Sequence, residues 1–269
     1  MTINRPRLSR RTLAGLLVPV AAHAQEVGSA PRPLRIGVTA GPHAQVMARV
    51  REIAARGGLA IQVVEFTEFN GPNAALAAGE LDANSYQHGP FLDQQVRDRG
   101  YALVAVGRTM VFPLGVYSRR HRMLDAVPEG GRIAIPDDPT NGGRALILLA
   151  TQGLFRLRDG VGLRATPGDI VANPRRITVQ PLGGAQLPAA LAESDAAVIT
   201  SNFALLAGLD PARDPIAVES TDSPYANLVV VRTADRDAPW VRRLLAAYQT
   251  PEIRDFVAAT FKGAAVPAF

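Results

Sequence analysis

Three consecutive side chains with different chemistry, Tyr86, Gln87 and His88, lie where a predicted strand passes into a predicted helix. The strand is predicted over residues 81–86, and the helix over 89–99 begins with a Gly-Pro pair, which suits a first helical turn. In an open α/β sheet, ligands bind at the carboxyl ends of the strands. A ring, an amide and an imidazole at that point suit a pocket for a small, partly polar molecule. A buried tyrosine beside a helix-capping histidine explains the same residues equally well.

A second candidate group surrounds Arg144, near the start of the next predicted apolar helix. The residues before it are small and polar, and backbone N–H groups at a helix start favour an anion. A guanidinium can also hold a carboxylate through two parallel hydrogen bonds. The alternatives for Arg144 are a surface position or an ion pair with Asp137 or Asp138. Asn141 is either a ligand contact or the cap of the helix.

Two more asparagines lie at element boundaries, Asn202 between a strand and a helix and Asn227 between a loop and a strand. Each amide offers a donor and an acceptor to a zwitterion, whereas helix capping and an Asx turn are the structural alternatives. Phe69, Tyr86 and Phe112 are suited to surround an apolar side chain, and aromatic rings pair well with a thioether sulfur. Core packing explains any one of these rings taken alone.

Motifs for catalysis and for metal binding are absent from the sequence. It contains no G-x-S-x-G elbow, P-loop, dinucleotide fingerprint or H-E-x-x-H zinc motif. It has no cysteine, and His43, His88 and His121 are not spaced as metal ligands. We therefore expect no catalytic residue, no metal and no cofactor.

The first 24 residues have the pattern of an export signal. A basic start precedes an apolar segment at 13–22 that is too short to span a bilayer, and Ala-His-Ala at 22–24 predicts cleavage before Gln25. Ser-Arg-Arg-Thr-Leu at 9–13 resembles a twin-arginine signal. Cleavage would remove four arginines and leave 25 basic and 24 acidic side chains, a net charge of +1. This balance does not indicate a nucleic-acid partner.

Strand and helix patterns alternate along the rest of the chain, which favours an α/β fold with helical crossovers. After a signal peptide at 1–24 and a linker at 25–33, we predict one lobe from 34–112 and 228–269, and a second lobe from 113–227. Two α/β lobes joined by two crossings, behind an export signal, are typical of periplasmic solute-binding proteins. Such lobes close over a small ligand by a hinge motion.

The stretch from Gly79 to His88, Gly-Glu-Leu-Asp-Ala-Asn-Ser-Tyr-Gln-His, resembles the signature of the NlpA family, the methionine-binding lipoproteins of ABC importers. So does the run Phe-Leu-Asp-Gln-Gln that follows at 91–95. Further matching segments are 101–107, 138–141 with Arg144, 158–163, 223–227 and 263–266. The similarity covers about residues 34–269, nearly the whole chain after the signal.

This resemblance implies a two-lobed type II periplasmic-binding fold, with mixed sheets flanked by helices and two inter-lobe crossings. It implies capture of free methionine and delivery to a membrane permease with its ATPase. The ligand-binding positions that match the family are Phe69, Tyr86, His88, Phe112, Asn141, Arg144, Asn202 and Asn227. In the family the arginine holds the ligand carboxylate, the asparagines contact the amino-acid backbone, and the three aromatic rings and the histidine surround the thioether.

The N-terminal region departs from the family pattern at one point. Family members usually carry a lipobox cysteine at the cleavage site, where this sequence has Ala-His-Ala-Gln. The departure predicts a free periplasmic protein, which we expect to be monomeric, rather than a lipid-anchored one. The alternatives are the same binding fold for another amino acid, a short peptide or an organosulfur solute, a sensory domain, or an enzyme on this fold.

Overall fold

The computed structural model describes Met1, residues 26–220 and residues 224–269. From residue 2 onward, the predicted signal peptide, with its twin-arginine motif and cleavage site, lies outside the described residues. The strands are β1 (Leu34–Thr39), β2 (Ile61–Phe66), β3 (Ala83–His88), β4 (Leu103–Val111), β5 (Leu114–Tyr117), β6 (Arg132–Pro136), β7 (Arg156–Leu157), β8 (Ile170–Ala172), β9 (Thr178–Leu182), β10 (Ala196–Thr200), β11 (Ala217–Val218), β12 (Ala226–Arg232) and β13 (Val266–Pro267). The α-helices are α1 (Pro42–Arg56), α2 (Gly71–Ala77), α3 (Gly89–Arg99), α4 (Pro139–Thr151), α5 (Leu187–Ala190), α6 (Ser201–Leu206), α7 (Pro239–Tyr248) and α8 (Pro251–Phe261).

Eleven of these strands form two mixed sheets, one in each lobe, and β7 and β8 pair separately as a two-stranded sheet. The first sheet has the order β13-β4-β12-β3-β1-β2, in which β1, β2 and β3 run parallel and β12 lies antiparallel between β3 and β4. The second has the order β11-β5-β10-β6-β9, in which β6, β9 and β10 run parallel and β5 is antiparallel to β10. In each sheet the first strand after a crossing is antiparallel to its neighbours. The predicted two-lobed α/β fold is confirmed.

The chain passes between the sheets twice. Phe112 and Pro113 join β4 to β5, and residues 219–225 join β11 to β12. Because Phe112 lies at the end of one sheet and Leu114 starts a strand of the other, the first crossing is very short. Phe112 of the first crossing borders the same space as His88 at the carboxyl end of β3, and the ring of Tyr225, just before β12, lies 5.1 Å from that of His88.

Each lobe has its own apolar core. The first lies between its sheet and α1, α7 and α8, and includes the fully buried Met47, Leu244 and Ile253. The second lies between its sheet and α4, and includes Leu146 and Leu149. Two separate cores let the lobes move as units about the crossings.

The segment predicted as a linker contacts the first lobe where it is described. The backbone carbonyl of Gly28 accepts a hydrogen bond from the N–H of Ala60, and Val27 packs against the first core. Within the described part of the chain, no helix is long and apolar enough to cross a membrane.

Candidate ligand-binding site

A cavity lies between the two lobes. The residues that line it are His43, Phe69, Tyr86, Gln87, His88, Phe91, Phe112, Asn141, Arg144, Thr200, Asn202 and Asn227. All eight positions expected to bind the ligand from the family resemblance are among them.

β3 forms one wall of the cavity, and it ends two residues later than the sequence predicted. Tyr86 and His88 therefore belong to the strand itself. His88 also caps α3, because its Nδ1 accepts a hydrogen bond of 3.2 Å from the N–H of Phe91. The capping and pocket-lining interpretations of His88 are thus compatible.

The second ring nitrogen of His88 connects the two lobes. Because Nδ1 is an acceptor, Nε2 carries the proton and donates to Oδ1 of Asn141 at 3.1 Å. Burial, with a smaller contribution from the positive charge of Arg144, lowers the pKa of His88 to about 3. The imidazole is therefore neutral at physiological pH.

Gln87 and two asparagines form a buried amide network beneath the cavity. Nδ2 of Asn73 donates to Oε1 of Gln87 at 2.8 Å, and Nε2 of Gln87 donates to Oδ1 of Asn73 at 2.6 Å and of Asn84 at 3.0 Å. The pairing of β3 with β12 shifts register between Ser85 and Gln87. This irregularity interrupts the regular alternation of side chains along β3, so Asn84 and Gln87 can meet in one network. The network fixes Gln87 at the cavity wall, between Tyr86 and His88.

The opposite wall is the start of α4. Asp138 caps this helix, since its Oδ1 accepts from the N–H of Asn141 at 2.8 Å, and the capping interpretation of Asn141 is wrong. Gly142 and Gly143 allow a close approach to neighbouring backbone. A Cβ on Gly143 would lie 2.7 Å from the carbonyl oxygen of Leu163. This packing holds Arg144 at the cavity, only 3% exposed.

Arg144 is paired with Glu219, and the alternative of an ion pair with Asp137 or Asp138 is wrong. Nε of Arg144 donates to both carboxylate oxygens of Glu219, at 2.9 and 3.1 Å, and Nη2 donates to Oε2. Nη2 also donates to the carbonyl oxygen of Phe112 at 3.0 Å. The Nε and Nη2 edge of the guanidinium is thus occupied by a protein carboxylate, and Nη1 has a long contact of 3.4 Å with Oδ1 of Asn141.

Asn227 is held by a second buried histidine. It lies in β12 rather than in an Asx turn, and its Nδ2 donates to Nε2 of His43 at 3.0 Å. Nδ1 of His43 then donates to Oγ1 of Thr39 at 2.8 Å, and burial lowers the pKa of this histidine to about 3. This chain of hydrogen bonds uses the amide nitrogen of Asn227, and among the described residues its amide oxygen has no side-chain partner.

Asn202 is 2% exposed, and its side chain does not cap α6, which begins after Thr200. Within the described residues, its Nδ2 has no hydrogen-bond partner. A buried amide donor without a partner is costly, so Asn202 is suited to bind an acceptor in the cavity.

The other end of the cavity is aromatic. The ring of Phe69 lies 6.1 Å from that of Tyr86 and 6.3 Å from that of Phe91, measured between centroids. It also contacts Phe203 of the other lobe at 4.9 Å. The hydroxyl of Tyr86 is buried, and burial raises its pKa well above the usual value. This end suits an apolar side chain.

Several residues of the site were not predicted: His43, Phe91, Thr200, Glu219 and Tyr225. His43 follows the end of β1 as His88 ends β3, so the same strand-to-helix argument would have selected it. Thr200 directly ends β10, next to the predicted Asn202. Glu219 carried no comparable signal. Tyr225 lies in a predicted motif, and its ring is 4.1 Å from the guanidinium carbon of Arg144.

Polar donors and acceptors at one end, and rings at the other, match an amino acid with an apolar side chain. Among the described residues that line the cavity, Arg144 is the one charged side chain, since both histidines are neutral. Among the described residues, no group of histidine, aspartate and glutamate side chains is arranged to hold a metal ion.

Comparison with known proteins gives consistent matches over nearly the whole folded chain. The model of the NlpA lipoprotein family matches residues 34–269. The D-methionine-binding lipoprotein MetQ of Salmonella typhimurium is 44% identical over 239 residues, which cover 88% of each chain. A nutrient-binding protein from Burkholderia cenocepacia, solved bound to methionine, is 47% identical with a TM-score of 0.86, over 88% of this chain and 100% of that one. An ABC transporter periplasmic substrate-binding protein from Coxiella burnetii is 40% identical with a TM-score of 0.85, over 87% and 100%.

Proposed function

The chain belongs to the NlpA lipoprotein family, and we propose that it is the solute-binding component of an ABC importer that captures free methionine between its lobes. The observation that carries this proposal is one cavity in which a buried arginine and the amide of Asn202, whose Nδ2 has no partner among the described residues, face a group of aromatic rings. The methionine-binding names of its relatives favour this ligand over other amino acids.

The geometry supports a specific placement of the amino acid. Nη1 of Arg144 and Nδ2 of Asn202 are the donors for its carboxylate, and Oδ1 of Asn227 is the acceptor for its ammonium group. Each contact to a charged group stabilises binding by roughly 1.5–3 kcal/mol. The amide oxygen of Asn141 already accepts a hydrogen bond from His88 of the other lobe. Its proposed contribution is therefore to join the two lobes around the ligand.

The side chain of methionine then extends toward the rings. Phe69, Tyr86 and Phe91 surround this end, and a sulfur about 5 Å from a ring gains roughly 0.3–1.5 kcal/mol. Phe112 lies farther round the cavity, with its ring 4.4 Å from that of His43, beside the amino-acid end. We therefore place Phe112 against the backbone of the ligand rather than around its sulfur.

The proposed role is binding and delivery, without catalysis. The relatives are named as binding proteins, and the two histidines of the cavity are held neutral by burial and by hydrogen bonds, so they are poor proton carriers near pH 7. An ABC permease and its ATPase are the proposed partners, and the binding protein itself is proposed to act as a monomer. The same cavity would serve a related organosulfur solute, a short peptide or another apolar amino acid under the second candidate function.

We assign residues 34–112 and 228–269 to one lobe and 113–227 to the other, which close by rotation about the two crossings. Separate sheets and cores support this division, and β12 already joins the first sheet at Ala226. Hydrogen bonding between His88 and Asn141 and ring contact between Phe69 and Phe203 would form on closure.

We propose a periplasmic location, reached by the twin-arginine signal and followed by cleavage before Gln25. The relatives are named as lipoproteins, whereas these 269 residues contain no cysteine that could carry a lipid. Mass spectrometry of the protein recovered from the periplasm would test this. A mature chain that begins at Gln25 without an acyl group supports the proposal, and a lipid-modified chain in the membrane fraction contradicts it.

The function itself is tested by calorimetry on protein from which the bound ligand has been removed. We expect one methionine to bind per chain, and we expect Arg144→Ala to weaken that binding by at least about tenfold, because it removes a charged hydrogen bond. A thermal-shift screen of amino acids, peptides and organosulfur solutes is the companion experiment. Stabilisation by an unrelated solute, with none by methionine, would favour the second candidate function.

A further inference from the structure

Glu219 is the counter-ion of the cavity's arginine, and neither the predicted site nor the lining residues include it. Its side chain is 13% exposed, against 3% for Arg144. Besides the guanidinium, its carboxylate accepts a hydrogen bond of 3.2 Å from the N–H of Leu114. A charge as deeply buried as that of Arg144 is tolerated only with such a partner.

The donors of Arg144 are divided between the protein and the cavity. Of its five N–H groups, the one on Nε and one on Nη2 point to Glu219, and the other on Nη2 points to Phe112. Nη1 has one long contact of 3.4 Å with Asn141. Glu219 therefore leaves Arg144 with one nitrogen for the ligand, at a fixed position.

The same pair joins the two crossings. Glu219 is the first residue of the second crossing, and its backbone and side chain both bond to Leu114, directly after the first crossing. Arg144 bonds to the carbonyl oxygen of Phe112, directly before Pro113. Arg144, the proposed contact of the ligand carboxylate, is in this way bonded to both crossings about which the lobes would turn.

Charge balance follows from this arrangement. Among the described residues that line the cavity, Arg144 supplies the one positive charge, and its partner Glu219 offsets it. We infer that Glu219 is a specificity-determining positioning residue that makes the cavity select a net-neutral zwitterion over an anion of the same shape. This inference rests on the proposed function and adds to it the charge class of the ligand.

The test compares methionine with its hydroxy-acid analogue, in which a hydroxyl replaces the ammonium group. Calorimetric dissociation constants are measured for both ligands with the wild type, Glu219→Gln and Glu219→Asp. In E219Q the positive charge of Arg144 is no longer offset. We expect the ratio of the two dissociation constants, which measures the preference for methionine over the hydroxy acid, to fall by at least about tenfold. A nearby unit charge changes the relative binding free energy of a zwitterion and an anion by that much. Glu219→Asp keeps the charge, and we expect it to retain most of the wild-type preference.

The outcomes separate the inference from the function on which it rests. If the wild type binds methionine and Glu219→Gln keeps the wild-type preference, the inference is wrong and the proposed function stands. If the wild type binds neither ligand, the proposed function is wrong. Should Glu219→Gln fail to fold, the two dissociation constants of the wild type decide. If the hydroxy acid binds more tightly than methionine, the inference is overturned. If the hydroxy acid binds at least about tenfold more weakly than methionine, the inference is supported.

Discussion

Replacing Asn202 by alanine should change binding and stability in different directions. Asn202 is 2% exposed, and its Nδ2 has no hydrogen-bond partner within the described residues. An unpaired buried donor costs about 1–3 kcal/mol, and deleting it removes this cost, while the lost atoms leave a small cavity that costs about 1 kcal/mol. We expect the free energy of unfolding of the ligand-free protein to stay unchanged or to rise by up to about 2 kcal/mol.

Binding should respond in the opposite sense. With methionine in place, the amide of Asn202 donates to a charged carboxylate, and loss of such a bond costs about 1.5–3 kcal/mol. The dissociation constant for methionine should therefore rise by about 10-fold to 150-fold. Calorimetry gives the affinity, and urea unfolding of the ligand-free protein gives the stability.

Asn73→Ala is the matched control. Asn73 is fully buried as well, but its amide is bonded to Gln87 and Asn84 beneath the cavity. Its removal leaves these partners unsatisfied and should lower the free energy of unfolding by about 1–3 kcal/mol. If Asn202→Ala destabilises the ligand-free protein as Asn73→Ala does, and leaves methionine affinity unchanged, Asn202 has a structural role and the reasoning is wrong.

Two further predictions concern stability. Gly143→Ala should cost about 1–3 kcal/mol in urea unfolding, because its Cβ meets the backbone oxygen of Leu163, whereas Gly89→Ala, with open space around the added atom, should be nearly neutral. His43 and His88 have folded-state pKa values of about 3, below the unfolded value of about 6.5, so only the unfolded state takes up their protons as the pH falls. The contribution of each histidine to the free energy of unfolding is complete above pH 6.5 and should decrease by about 2–3 kcal/mol by pH 4.5. This would be contradicted if a variant with both histidines replaced by glutamine kept the wild-type slope of unfolding free energy against pH.

The sequence predicted the placement of most site residues because local signals mark the ends of its strands. Gly89 and Pro90 identify the start of α3, so His88 was correctly placed at the junction of strand and helix. The same holds for Asn202 after β10. Whether the eight predicted residues bind methionine stays a prediction, but their arrangement around one cavity is a finding of the structure.

What the sequence missed depends on contacts between distant segments. β3 ends two residues later than predicted because it pairs with β12, more than a hundred residues away, through a shift in register. Glu219 follows the two-residue strand β11, which is recognised only by its pairing with β5. No local pattern identifies a lone glutamate as the partner of Arg144, so the sequence suggested the nearer Asp137 and Asp138 instead.

The central claim is that the space between the lobes is built for one methionine molecule. The most direct test is to isolate the protein from the periplasm under mild conditions, release what it carries and identify the released compound by mass spectrometry. We expect methionine at about one molecule per chain, and little or none from Arg144→Ala purified in the same way. A different compound in the wild-type cavity, which added methionine does not displace, would contradict it.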